Sequence, residues 1–512
     1  MLHVPLLPVS SSYWVRSKFP AFCTSMAEED SITITKKRKA RGRRDEGAVA
    51  VPDIEDAVMD DRGCFSVEAA HAVRDSLLRW YDKNKRDLPW RRRRIHNDDV
   101  DDDDDDRAYA VWVSEVMLQQ TRVATVVDYY HRWMERWPTL LSLSQASLEE
   151  VNEMWAGLGY YRRARYLFEG AKSIIEGGEF PSTVSDLRKV RGIGDYTAGA
   201  IASIAFNKVV PVVDGNVIRV IARLKAISAN PKESATLKKF WSLAGELVDP
   251  CRPGDFNQAL MELGAVLCTP TSPGCSSCPV SNQCHALSLS RDKNGDCEVT
   301  DYPTKVAKAK QRHDFAAVCV VQIVEQSDLE AWKANKKKCV FLLVKRPEQG
   351  LLAGLWEFPS VLLNGKKTDQ MTRRRMMDRY LKKTFNLDCK GVYGVVSRED
   401  VGEYVHVFSH IRLQMHVELL VLSPQGSEGG EMVLLDEKGH YAIEWKCVDD
   451  ESIQSMGLTS GVRKVYKMVH DFQRGLHQYS RKPTKKKTKK LNSWTGPMLP
   501  CPSKGSGNIY VI

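Results

Sequence analysis

The chain has 512 residues, 43% of them hydrophobic and 27% charged, with a formal net charge of +10. That length exceeds one compact core, so two folded domains with tails are expected, and no apolar run approaches the ~20 residues of a membrane-spanning helix. The positive balance favours a polyanionic partner. Thirteen cysteines, four of them clustered, suit a reducing compartment and a metal site better than a disulfide framework.

Residues 1–27 lack Asp and Glu, contain Arg16 and Lys18, and have the Ser-rich, apolar composition of an organellar transit peptide, with Met26 available as a second start. The basic run 36–44 resembles a nuclear localisation signal. Residues 1–62 are therefore expected to be a disordered targeting region of a nuclear protein with a mitochondrial or plastid form. A helix is expected from Val67 to Tyr81, because Ala70, Val73, Leu77 and Trp80 recur at three- and four-residue spacing. Asp98, Asp99 and Asp101 to Asp106 follow the basic run 91–94. Their mutual repulsion reads as a solvated loop insertion rather than a metal site.

A helical pattern runs from Tyr109 to about Trp137, with Glu115 near its start. Further amphipathic runs, Val151 to Phe168 and Leu187 to Ala205, are broken by Gly157-Leu158-Gly159, Gly177-Gly178 and Gly192-Ile193-Gly194. Residues 63–285 are assigned to an all-α domain. Within it, Gly192 and Gly194 allow a turn that aims N–H groups at one phosphate, although such a turn also serves as a plain helix connection. Asp214 lies between the apolar run Val209 to Val213 and Gly215-Asn216. It is either a buried carboxylate that stabilises positive charge or a helix cap. Cys268, Cys275, Cys278 and Cys284 have the spacing C-x6-C-x2-C-x5-C, which can enclose one metal centre. Spacing alone leaves zinc and an iron-sulfur cluster as rivals.

Past Cys284 the pattern changes. Residues 286–312 read as a polar linker. Phe315 to Val324, Cys339 to Val344, Val392 to Val396 and Val405 to Leu422 read as strands, with helices at Met371 to Thr384 and Gly461 to Phe472. Residues 313–472 are assigned to a separate α+β domain, and residues 473–512 to a basic disordered tail.

The stretches VRGIGDYTAGA and VPVVDGNVIRV resemble the helix-hairpin-helix and Gly/Pro/Asp motif of the endonuclease III superfamily of DNA glycosylases. SEVMLQQTRV and GLGYY are similar to its MutY-type adenine DNA glycosylases. The resemblance implies a multidomain protein that excises adenine mispaired with 8-oxoguanine or guanine in double-stranded DNA, handing the abasic site to downstream repair proteins. It implies that Glu115 is the general acid, that Asp214 stabilises the sugar cation, and that Tyr196 and Asn216 support the step. Lyase members of the superfamily carry a Schiff-base Lys where Tyr196 stands, so a monofunctional enzyme is expected. Gln119, Gln120, Thr121, Leu158 and Tyr160 match residues that surround the opposite lesion and wedge the stack. The cysteine spacing matches the family's [4Fe-4S] loop. GLLAGLWEFPS resembles the Nudix fold, with Asp378 the only acid on the helix that would bind magnesium, and Phe408, Ser409 and His410 match the 8-oxoguanine recognition motif. The linker offers only Cys297, so no zinc is expected there. A monomer is expected. The alternatives are an endonuclease III type lyase on oxidised pyrimidines, a non-catalytic damage-binding protein, and a Nudix-type nucleotide hydrolase.

Overall fold

In a computed structural model of the chain, the residues described are 63–92, 104–292, 297–307, 310–325, 339–364, 368–387, 393–424 and 443–480. Residues 1–62, expected to be a targeting region, most of the acidic segment and the lysine-rich run near the C-terminus lie outside them.

The first helix, α1 (Val67–Asn84), starts where the Ser66 hydroxyl accepts a hydrogen bond from the Ala69 N–H. Ala70, Val73, Leu77 and Tyr81 share its buried face. The next helix, α2 (Asp104–Leu118), corrects the expectation of a loop through Asp106, since Asp104, Asp105 and Asp106 form its first turn. Carboxylates are favoured there by the positive end of the helix dipole, which a count of like charges overlooks. A second correction is that the helical run to Trp137 is two helices. α2 ends at Leu118, and α3 (Val123–Arg136) restarts after a turn in which Gln120 has φ 55°.

Seven shorter or similar helices follow: α4 (Leu140–Ser144), α5 (Leu148–Met154), α6 (Arg162–Gly177), α7 (Val184–Leu187), α8 (Asp195–Ile204), α9 (Gly215–Leu224) and α10 (Ser234–Leu247). α11 (Pro253–Val266) leads into the cysteine loop, which α12 (His285–Arg291) closes. They build two apolar cores. One gathers Trp112, Trp133 and Trp155 with α6 and α8, and the other packs α1 against α9, α10 and α11. The segment expected to be a linker is partly folded, because Ala286, Leu287, Val299 and Tyr302 form a small core of their own beside Cys275 and Cys284.

The second domain is a mixed seven-stranded sheet with strand order β3-β2-β1-β6-β5, β4 pairing with β1 and β7 with β2. Its strands are β1 (Arg312–Ile323), β2 (Val340–Lys345), β3 (Trp356–Glu357), β4 (Ser360–Leu363), β5 (Tyr393–Val407), β6 (Ile411–Pro424) and β7 (Trp445–Asp449). β1 and β6 run parallel, from Arg312 opposite Ile411 to Ile323 opposite Leu422. Alternate residues of β1 serve two cores. Ala316, Val318 and Val320 meet α14 (Asp450–Ser455) and α15 (Ser460–Ser480), while Ala317, Cys319 and Val321 meet α13 (Gln370–Phe385). The run Val405 to Leu422 is not one strand. It is a hairpin turned at Phe408-Ser409-His410, and the final helix continues past Phe472 to Ser480.

The domains touch directly. Arg165 of α6 pairs with Glu348 at 2.6 Å, the Trp356 indole N–H donates to Glu149 at 3.3 Å, and Leu355 joins the first helical core.

Beneath the helical cores, Glu262 of α11 has a side chain 1% exposed and accepts from Arg86 at 2.6 and 2.8 Å and from Arg91 at 2.9 Å. Burial would raise its pKa, but the hydrogen bonds from the two guanidinium groups outweigh burial and bring it to about 2. The pair's stabilisation is therefore complete above the ordinary value of 4.5 and is lost as pH falls toward 2. Glu262→Gln is expected to destabilise the protein by about 3–5 kcal/mol at neutral pH and to flatten this acid dependence, read by urea unfolding across the acid range.

Candidate active site

Four helices converge where the two helical cores meet. Glu115 comes from α2, Tyr196 from the first turn of α8, Asp214 from the start of α9 and Met261 from α11. Glu115 and Asp214 are each 6% exposed, although free carboxylates are rarely buried. The Tyr196 hydroxyl donates to Glu115 Oε2 at 2.5 Å and also lies 3.5 Å from the Met261 sulfur. Burial raises the Glu115 pKa to about 7, the negative charge of Asp214 pushes the same way, and the Tyr196 hydrogen bond and Arg91 oppose it. Such a group holds its proton just below neutrality and can deliver it.

Asp214 is the N-cap of α9, the helix-cap alternative that its sequence setting left open. Its Oδ1 accepts from the Val217 N–H at 2.7 Å and its Oδ2 from the Asn216 amide at 2.7 Å. Burial raises its pKa, while these two donors and the charge of Arg219 pull it down. With two hydrogen bonds at a helix N-terminus, Asp214 is better furnished than Glu115 to remain an anion. Two carboxylates thus sit in environments suited to opposite roles.

Behind Asp214 runs a chain that motif reading missed. Arg219 donates to Asn216 Oδ1 at 2.7 Å, to the Gly264 carbonyl at 2.7 Å and to the Cys268 carbonyl at 2.9 Å. One turn on, Arg223 is 2% exposed and donates to the carbonyls of Cys268, Thr269, Pro270 and Tyr302 and to the Cys268 sulfur at 3.2 Å. Gly264 is required here, because a Cβ on it would lie 2.7 Å from the Asn216 Cβ. The available signal was two arginines four residues apart on an otherwise apolar helix.

Cys268, Cys275, Cys278 and Cys284 border one cavity of about 300 Å³, open mouth included, with Arg223 on its wall. Burial pushes the Cys278 thiol up to about 12 and raises those of Cys275 and Cys284. Among the described residues, no group of three or more His, Cys, Asp or Glu side chains is set to hold a single metal ion. An all-sulfur donor set around a shared cavity, beside a buried cation, fits an anionic iron-sulfur cluster.

At the hairpin, Gly192 has φ 89° and its absent Cβ would meet Tyr166 at 2.6 Å. Gly194 is extended and needs no special conformation. It is the N-cap of α8 without a capping side chain, so no side chain of its own satisfies the first N–H groups of α8, and nothing lies within 4 Å of where its Cβ would stand. Gln120 is exposed, and Gln119 and Thr121 are half-buried beside it. Leu158 and Tyr160 part company: Leu158 is 7% exposed in the first core, whereas Tyr160 is 45% exposed with φ 48°. In the second domain, Phe408, Ser409 and His410 form the β5–β6 turn. The Gln311 amide donates to the Phe408 carbonyl at 2.9 Å, and Ser409 Oγ lies 3.1 Å from His410 Nδ1. Ser409 and His410 are exposed.

Residues 113–246 match the family model described as an HhH-GPD superfamily base excision DNA repair protein, and residues 332–468 match a NUDIX domain. The adenine DNA glycosylase of Rattus norvegicus is 41% identical over 446 residues, covering 80% of each chain. The chain belongs to the adenine DNA glycosylase family. The Arabidopsis thaliana adenine DNA glycosylase is 56% identical over 428 residues, which cover 79% of this chain and 65% of that protein's length. A solved thermostable thymine-DNA glycosylase aligns over 43% of this chain and 97% of its own at 26% identity, with a TM-score of 0.38.

Two outcomes follow for this family member from the buried acids. Folding raises the Glu115 pKa from 4.5 to about 7, so its ionisation is penalised: stability is complete below pH 4.5 and declines as pH rises through about 7. Glu115→Gln, which cannot ionise, is expected to gain melting temperature relative to the parent between about pH 5 and about pH 8 while losing activity. Tyr196→Phe removes a hydrogen bond that lowers the Glu115 pKa, so the alkaline limb of the pH–rate profile is expected to move to higher pH.

Proposed function

We propose that the protein is a monofunctional DNA N-glycosylase that removes adenine mispaired with 8-oxoguanine or guanine in duplex DNA. The observation that carries this reading is the pairing of a buried carboxyl, Glu115, held by Tyr196 and with its pKa raised to about 7 chiefly by burial, with a buried, hydrogen-bonded, helix-capping carboxylate, Asp214, whose charge adds to that rise. Breaking a purine N-glycosidic bond needs a proton on the leaving base and negative charge beneath the sugar cation. Glu115 donates the proton to the base and then accepts one from the attacking water. Asp214, oriented by Asn216 and the Val217 N–H, stabilises the oxocarbenium-like sugar. Tyr196 occupies the position where a lyase would carry its Schiff-base amine, and its hydroxyl is committed to Glu115.

The extruded adenine leaves a gap beside its partner base. Tyr160, Gln120 and Thr121 face that partner, and the Phe408-Ser409-His410 turn supplies polar contacts to 8-oxoguanine. Gly192, Gly194 and the N-terminus of α8 take a backbone phosphate. Cys268, Cys275, Cys278 and Cys284 would hold a [4Fe-4S] cluster, a rigid anionic clasp that fixes the loop on which Arg219 and Arg223 converge. The N-terminal signals support a nuclear protein with an organellar form, acting upstream of enzymes that process abasic sites.

Incubation with a duplex holding one adenine opposite 8-oxoguanine, followed by alkali, is expected to cleave the strand at that adenine. Intact strands would overturn the reading, as would efficient borohydride trapping. The purified protein is also expected to contain iron and acid-labile sulfide in roughly fourfold molar amount, and Cys278→Ser to lose both.

A further inference from the structure

We propose that Arg163 is a positioning residue that sets how strongly the protein prefers 8-oxoguanine over guanine opposite the target adenine. The inference rests on the reading above, in which the turns at 119–121 and 158–160 face the opposite base.

Arg163 lies in the first turn of α6, and its guanidinium joins both turns. Nη1 donates to the carbonyls of Val116 at 2.8 Å, Met117 at 3.0 Å and Gln119, the last residues around the C-terminus of α2. Nη2 donates to Thr121 Oγ1 at 3.3 Å and to the carbonyls of Gly159 at 3.1 Å and Leu158 at 3.4 Å. The same group lies over the rings of Trp155 and Tyr160, at 5.2 and 5.5 Å. The final carbonyls of a helix have no partner within it, and a cation suits that negative end. Here one side chain satisfies them and reaches the second turn as well.

Both turns need such a clamp. Gln120 and Tyr160 each hold a left-handed backbone, φ 55° and 48°, a conformation that non-glycine residues keep only when their surroundings impose it. These are also the exposed side chains of the two turns, so their separation is set by what holds the backbone behind them. The planar guanidinium can span several acceptors in fixed directions, whereas a lysine ammonium is a point donor. The remaining donor, Nε, is buried with no protein acceptor, and Arg163 lines a small cavity together with Gln119, Trp112, Arg191 and Gly192. The clamp therefore adjoins the hairpin as well. Neither acid of the reaction is among its partners, so its influence falls on recognition more than on bond breaking.

The test measures single-turnover adenine removal from duplexes carrying 8-oxoguanine or guanine opposite, for the parent, Arg163→Lys and Arg163→Ala, with melting temperatures. Lysine keeps a positive charge at the end of α2. Arg163→Lys is expected to fold and to lower the ratio of the two rates by about tenfold, mostly by slowing the 8-oxoguanine duplex. Arg163→Ala is expected to lower the ratio at least as far if it folds. A folded Arg163→Lys that keeps the parent's ratio, or loses both rates by one factor, would overturn the proposal. So would a Lys variant that fails to fold, which would make the residue purely structural. A parent that removes adenine from both duplexes at one rate would also overturn the proposal, whereas a parent that removes it from neither would sink the reading beneath it.

Discussion

Everything in the helical domain is arranged around the cost of burying Glu115 and Asp214 together. Each carboxylate is 6% exposed, and the charge of Asp214 adds to the cost of ionising Glu115. The fold meets that cost in two different ways. Glu115 accepts one hydrogen bond and keeps its proton, while Asp214 takes the N-terminus of α9, a second donor from Asn216 and the nearby charge of Arg219. The asymmetry suits the proposed reaction, in which one acid gives a proton while the other remains negative. It arises from placing the pair where the two apolar cores meet, each core supplying one wall.

Buried and half-buried arginines then do what short helices cannot do for themselves. Arg223, Arg219 and Arg163 together satisfy carbonyls of the cysteine loop, the α11 terminus and the two turns beside the site. Irregular backbone inside a protein carries unpaired polar groups, and a guanidinium offers five donors in a fixed fork. Loops that would otherwise open to water can therefore be held at the edge of the pocket. Arg86 and Arg91 perform the same office for the buried Glu262 beneath it.

The sheet domain carries its own charge pattern. α13 carries six basic residues and one acid, Asp378, which is engaged by Arg398 at 2.6 Å. Arg398 and Arg374 also share Glu418. The acids that face the sheet there are matched by cations. At the hairpin end, Gln311 pins the backbone of Phe408 and leaves Ser409 and His410 outward. The contact of Arg165 with Glu348 and of Trp356 with Glu149 ties this domain to α6 and α5 of the helical domain.

Sequence alone determined the division into helical and sheet halves, the cysteine spacing, and the acids and turns worth inspecting. Those are periodic or contiguous signals: α1 follows its three- and four-residue spacing, and β1 its apolar run. Only the tertiary structure decided that Asp104 begins a helix, that Gln120 breaks one, that Val405 to Leu422 folds back on itself, and that Leu158 is buried while Tyr160 is not. It alone brought Tyr196 to Glu115 and Arg163 to two turns at once, pairings across 81 and about 40 residues. The physical reason is that hydrophobic periodicity is local, whereas the hydrogen bonds that cap helices and tune carboxylates are chosen by whichever distant donor packing delivers.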